Sequence, residues 1–251
     1  MTAPDRITYV GHATVLAELG GVRLLTDPVL RGRVGHLRRQ AASPAPGVAR
    51  NLDALLVSHL HHDHADLPSL RKLDHDLPVL VPRGSGAFFA RRGFSAVSEL
   101  GPGESTQIGA VTVTATKAVH PRHSRLERDS EAIGFLLSGR RRIYFAGDTD
   151  LFDGMRELGH DLDLALLPVW GWGPSLGPGH LDPQRAARAA ALLSPRLAIP
   201  IHWGTLYPLG LARFRPEPLH SPPREFAAWT GRLAPQTEVR VLAPGEAASL
   251  S

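Results

Sequence analysis

The stretch Ser58-His59-Leu60-His61-His62-Asp63-His64 holds four potential metal donors in the pattern His-x-His-x-Asp-His. It follows directly on the run Asp53 to Val57, which reads as a buried strand. In extended chain His59 and His61 share one side, because side chains alternate with period two. If the chain then turns into a helix, Asp63 and His64 come back toward the same point from another direction. Imidazole nitrogens and carboxylate oxygens converging with one position left open are what a catalytic zinc-type site requires.

Partners for such a site should also sit at strand ends, on loops held by a rigid scaffold. His120 follows the alternating run Val111 to Ala118, and it ends that strand more directly than His123 does. Asp148 lies in the turn Gly147-Asp148-Thr149 after Arg142 to Ala146, and His202 follows Leu197 to Ile201. His180 sits in a glycine-rich loop just before a helix start at Asp182. Trp170, Trp172 and Trp203 fall close to these positions and serve equally well as pocket lining or as loop packing. Arg122 and Arg125 follow His120, where an exposed loop is the commoner setting and phosphate binding the alternative.

These positions need a β-rich scaffold. Strands are expected at Ile7 to Val10, Thr14 to Leu19, Val22 to Thr26, Ala54 to Ser58 and Val79 to Val81. Further strands are expected at Ala110 to Ala118, Ala132 to Leu137, Arg142 to Ala146, Leu164 to Pro168, Ala198 to Ile201 and Val239 to Leu242. Gly20-Gly21 reads as a hairpin turn. The clearest helix is Asp182 to Leu193, with Asp182 as N-cap, Pro183 in the first turn and Pro195 beyond the end. Others are expected at Asp66 to Leu73, Gly86 to Arg92 and Arg224 to Leu233, while Arg31 to Arg50 reads as a long loop. No repeat or linker divides the chain, so residues 1–251 read as a single domain.

The 251 residues include no cysteine, so any zinc is held by His and Asp. No apolar run approaches the roughly 18 residues of a membrane span, and the N-terminus lacks a signal-peptide core. Both point to a cytoplasmic protein. The net charge is +4, with Lys72 and Lys117 the only lysines. The surplus of arginine follows from a composition also rich in Ala, Gly and Pro, or else serves a small anionic substrate. No stripe mixing basic and aromatic residues indicates nucleic acid. A homo-oligomer is compatible with this composition.

The set His59-x-His61-x-Asp63-His64, His120, Asp148 and His202 resembles the metallo-β-lactamase superfamily in its two-metal form. Five further segments narrow the likeness: Val10 to Thr14, Leu25 to Pro28, Phe145 to Thr149, Gly179 to Pro183 and Ile201 to Thr205. They are similar to the branch containing N-acyl-phosphatidylethanolamine-hydrolysing phospholipase D and, more distantly, L-ascorbate-6-phosphate lactonase. The likeness runs from about Ile7 to Phe226.

It implies an α/β four-layer αβ/βα sandwich with the site at one edge of two sheets. It also implies two divalent ions, zinc first and manganese or iron next: one on His59, His61 and His120, the other on Asp63, His64 and His202, with Asp148 bridging. Asp63 then orients the attacking hydroxide, and His180 contacts substrate or protonates the leaving group. Asp27 supports the histidine loop, and His12 lies near. The implied activity is hydrolysis of a phosphodiester by metal-held hydroxide. The alternatives are a lactonase acting on a phosphorylated sugar lactone, or a metal- or ligand-binding protein without turnover. Unlike the membrane phospholipase, this chain shows no apolar docking segment.

Overall fold

The computed structural model describes residues 4–121 and 130–250. Arg122, His123 and Arg125 lie outside the described residues. One seven-stranded sheet contains β1 (Arg6–Gly11), β2 (Thr14–Leu19), β3 (Val22–Thr26), β6 (Ala54–Leu56), β7 (Val79–Pro82), β8 (Val97–Leu100) and β17 (Ala247–Ser249). Its order is β17-β1-β2-β3-β6-β7-β8, antiparallel through β3 and parallel from β3 to β8.

The second seven-stranded sheet holds β9 (Ser105–Ile108), β10 (Val111–Lys117), β11 (Ile133–Ser138), β12 (Arg142–Phe145), β13 (Leu164–Pro168), β14 (Leu197–Ile201) and β16 (Glu238–Val239). Here the order is β16-β14-β13-β12-β11-β10-β9, parallel from β12 through β16. A small third sheet joins β4 (Arg33–Val34), β5 (Leu37–Arg39) and β15 (Leu206–Pro208).

Alternation decides how the layers stack. In the first sheet Ile7, Tyr9, Val15, Leu24 and Leu56 join one core cluster with Val113, Phe135, Ile143 and Leu166 of the second. Their sequence neighbours Val10, Leu16, Leu25 and Leu55 face the other way, onto Leu70, Phe89 and Phe94. That outer layer carries α1 (Leu67–Leu70) and α2 (Gly86–Ala90). On the far side, α3 (Pro183–Leu193) and α4 (Ser221–Leu233) pack on each other and cover the second sheet through Ala186, Ala190 and Phe226. The result is the four-layer αβ/βα sandwich, with strands buried on both faces reading as continuous apolar runs.

Several boundaries differ from the sequence reading. Arg31 to Arg50 is not one long loop: it forms the β4–β5 hairpin and a short 3-10 turn at Pro46–Ala49. Strands of two and three residues, the longer paired on the distant β15, leave no periodic pattern to read. The final strand of the second sheet is Glu238–Val239 rather than Val239 to Leu242, because pairing with β14 ends at Ala198↔Val239. The helix after Asp66 stops at Leu70, and α4 begins at Ser221, where Pro222 and Pro223 occupy its first turn.

Candidate metal centre

The motif leaves β6 in extended chain, and His59 and His61 bring Nε2 and Nδ1 within 2.9 Å of each other. The chain then turns, with the His61 carbonyl accepting the amides of His64 and Ala65 at 2.9 and 2.8 Å. That turn swings Asp63 and His64 inward, so both are buried while His62 stays exposed. His120 arrives from the end of β10 with Nε2 at 3.0 Å from His61 Nδ1. His202 arrives from the end of β14 with Nε2 at 3.1 Å from His64 Nε2. Asp148, after β12, lies 3.2 Å from His64 Nε2 through one oxygen and 3.2 Å from His202 Nε2 through the other.

The outer ring nitrogens fix the tautomers. His202 Nδ1 faces the Trp170 carbonyl at 2.7 Å and His120 Nδ1 faces the Gly179 carbonyl at 2.9 Å, so each Nδ1–H donates outward. Ser58 Oγ donates to Asp27 at 2.6 Å and accepts from His59 Nδ1 at 3.0 Å. The inward Nε2 atoms of His59, His120 and His202 therefore carry lone pairs. Burial, reinforced at His59 by the neighbouring His64 and His120, holds His59 well below its ordinary pKa. Burial brings His120 to about 4 and His202 to about 3.

His64 behaves oppositely. Burial pulls it down, yet the carboxylates of Asp148, Asp27 and Asp63 outweigh burial and hold it well above its usual value. For Asp63 and Asp148 burial pushes the pKa up, but the surrounding histidines win and keep both well below the carboxylate range. Neutral imidazoles with lone pairs pointed at one another, among ionised carboxylates, are a donor set that a divalent cation satisfies. Asp148 Oδ1 is moreover buried with no hydrogen-bond partner. Among the described residues, donor atoms within 4.8 Å of one another form four groups: His59-His61-His120, His12-Asp63-His64-His202, His59-His64-Asp148 and His120-Asp148-His180. The fit to metal is good.

The backbone is bent to reach this arrangement. Among the described residues, six non-glycine positions have positive φ, and three of them are His12 (58°), Asp27 (35°) and His202 (63°) at the site. Gly147 stands at φ +61°, where a Cβ would meet Ser58 Cβ at 2.8 Å, so Asp148 can follow only a glycine here. Asp27 accepts from Ser58 N at 2.7 Å and from Ser58 Oγ, and pairs with His64 Nδ1 at 2.8 Å.

All seven sequence-selected donors converge, and His180 joins them with Nε2 at 3.6 Å from Asp148 Oδ2. His12 comes closer than the sequence indicated, 2.8 Å from Asp63 Oδ2. Ser58 joins the network too, bridging Asp27 and His59, and its position just before His59 is the one signal for this in the sequence. The three tryptophans separate: Trp203 is buried against Tyr9, Trp170 supplies a carbonyl to His202, and Trp172 lines a cavity over the centre.

A family model described as the Beta-lactamase superfamily domain matches residues 22–203. The chain belongs to the metallo-β-lactamase superfamily. This superfamily member is 33% identical over 258 residues to a UPF0173 metal-dependent hydrolase of Rubrobacter xylanophilus, covering 98% of this chain and 97% of that one. It is 32% identical over 238 residues to N-acyl-phosphatidylethanolamine-hydrolyzing phospholipase D 1 of Caenorhabditis elegans, covering 84% and 67%. It spans 63% of the length of an uncharacterised Mycobacterium tuberculosis relative, 30% identical over 240 residues and 88% of this chain. Igni18, a metallo hydrolase of Ignicoccus hospitalis, shares its fold with a TM-score of 0.76 at 22% identity over 99% of both chains. No helix among the described residues is long and apolar enough to cross a membrane.

Proposed function

We propose that this chain is a metal-dependent hydrolase with a two-ion centre, cleaving a phosphodiester-type bond in a small molecule. His59, His61 and His120 would hold one ion and Asp63, His64 and His202 the other, with Asp148 within reach of both sets. The observation that carries this reading is the position of Asp148. Its carboxylate stands 3.2 Å from both His64 and His202 and belongs to donor groups with His59 and His120. A carboxylate reaching both clusters makes one centre of two. Nitrogen and carboxylate donors without thiolate suit zinc first, and manganese or iron next.

Bound divalent ions supply Lewis acidity and acidify water at neutral pH. The protein's own groups do the rest. Asp63, ionised and held by His12, presents a carboxylate that would orient the attacking water. His180 reaches the cavity from the α3 side with its ring edge-on to His120 at 4.6 Å. From there its Nε2 is placed to pass a proton to a departing oxygen.

The test is metal analysis of the purified protein with a panel of phosphodiesters beside a panel of lactones, using Asp63→Asn as control. Two ions per chain and phosphodiester turnover, lost in Asp63→Asn, are expected. Lactone turnover alone overturns the phosphodiester assignment, and equal activity in Asp63→Asn overturns the mechanism.

A further inference from the structure

A cavity of about 730 Å³ opens directly onto the donors His61, Asp63, Asp148, His180 and His202. Its walls are different in character. Val34 and Leu37 come from the small third sheet, Leu60 and Leu67 from the motif loop and α1, and Trp172 and Leu176 from the loop before α3. Val34 and Leu37 pack with Val29 and Leu206 into a separate small core, against which Trp172 rests. The β4–β5 hairpin and Trp172 thus form one wall, with His36 edge-on to the indole at 5.1 Å.

Charge on these walls is committed elsewhere. Among the described residues lining the cavity, Arg31 is the one Lys or Arg, and it grips Asp66 through three contacts of 2.7 to 3.1 Å. Asp66 is buried and also caps α1 through Ser69, so releasing Arg31 toward a ligand strands a buried carboxylate. Apart from His36, His62 and Ser175, the described walls beyond the Arg31–Asp66 pair therefore offer mainly apolar contact, and the reactive polar groups lie at the floor, a common division in a small-molecule site.

We propose that this cavity receives an uncharged, apolar body attached to the scissile group, and that Trp172 sets the preference for it. The inference rests on the hydrolase reading above and deepens it. The only charge the substrate brings is on the group being cleaved, and its remainder is aryl or short alkyl. A polyanionic body, such as a phosphorylated sugar, meets no unpaired cation among the described walls.

The test uses p-nitrophenyl alkyl phosphodiesters and γ-lactones with side chains from methyl to hexyl, together with ω-carboxyalkyl counterparts. Burying each added methylene is worth roughly a threefold to fourfold gain in kcat/KM where the wall contacts it. A rise of at least tenfold from methyl to hexyl, carried by KM, is expected, and the ω-carboxylate cancels it. Trp172→Ala should lower the hexyl-to-methyl ratio at least fivefold, and Trp172→Phe should restore most of it. A flat series, or a preference for the charged tail, overturns the proposal even if hydrolysis proceeds. If neither series is turned over, the hydrolase reading fails separately. Binding of neutral 4-phenyl-1-butanol to the metal-free protein, followed by calorimetry, then decides this inference. Saturable binding weakened in Trp172→Ala supports it, and no binding overturns it.

Discussion

His12 Nε2 lies 2.8 Å from Asp63 Oδ2, with both side chains withdrawn from solvent. His12 is itself pinned: its amide donates to Thr205 Oγ1 at 2.8 Å, and its carbonyl accepts the His202 amide at 2.8 Å. Its Nδ1 is buried without a hydrogen bond, so Nε2 is the ring atom that meets Asp63. One residue thereby couples the Asp63 carboxylate to the backbone of His202.

Removing that support should show in metal content as well as rate. His12→Ala is expected to lower kcat by about 10- to 100-fold, the range for losing a residue that orients a metal ligand, and to leave less than two ions per chain. His12→Asn should recover part of both, since asparagine tolerates the positive φ of 58° and keeps a donor. Steady-state kinetics with elemental analysis checks this. Full metal loading and wild-type kcat in His12→Ala would contradict it.

Asp27 holds three donors at once: the Ser58 amide, the Ser58 hydroxyl and His64 Nδ1. Asp27→Asn keeps shape and tolerates the φ of 35°, but its amide nitrogen meets a donor instead of an acceptor. The expected cost is about 2–3 kcal/mol of stability, since buried partners lose a charge-assisted bond. Urea unfolding of the metal-free protein measures it directly. A change below about 0.5 kcal/mol, the range of ordinary surface substitutions, would show that Asp27 is not the keystone of the loop.

The donors were legible because each follows a strand pattern, apolar or alternating, at a sheet end, where local pattern and chemistry coincide. His59, His61, Asp63 and His64 even share one stretch of chain. What the sequence hid depends on contacts between distant segments. The β4–β5 hairpin exists through pairing of Leu37 to Arg39 with Leu206 to Pro208. Arg39 then anchors it from within, its guanidinium donating to the Val29 carbonyl at 2.6 Å. Neither partner predicts the other from spacing. Likewise the closeness of His12 to Asp63 arises across 51 residues and only after β1 and the motif loop are in place.

Gly179 marks where the loop before α3 crosses His120. At φ +77° a Cβ there would stand 2.1 Å from Pro121 Cδ, while the Gly179 carbonyl receives His120 Nδ1. Gly179→Ala must shift that carbonyl or Pro121, and it adds left-handed strain costing about 1–2 kcal/mol. The expected result is weaker metal binding at the position served by His59, His61 and His120, with the other position nearly intact. Titration with a competing chelator resolves the two. Equal weakening of both, or none, would separate His120 from the Gly179 loop.

Acid sensitivity of the metal-free protein follows from the histidine pKa values. Burial places His120 at about 4 and His202 at about 3, and His59 also lies well below the ordinary 6.5. An unfolded chain takes up protons on these rings below about pH 6.5, whereas the folded chain refuses them, so stability falls as pH drops from there. His64 does not reverse the slope. Its raised pKa contributes stability fully present below 6.5 and lost only as pH climbs through the raised value. Asp63 and Asp148, depressed, contribute above about 3.8 and lose that contribution only as pH falls below it. Between pH 6.5 and 4 the three depressed histidines set the sign. Thermal melts of the chelated protein should give a lower Tm at pH 5 than at pH 7.5, and added divalent metal at pH 7.5 should raise Tm further by mass action. A Tm that climbs toward pH 5 would mean the rings are charged in the fold, and the donor set would no longer suit a cation.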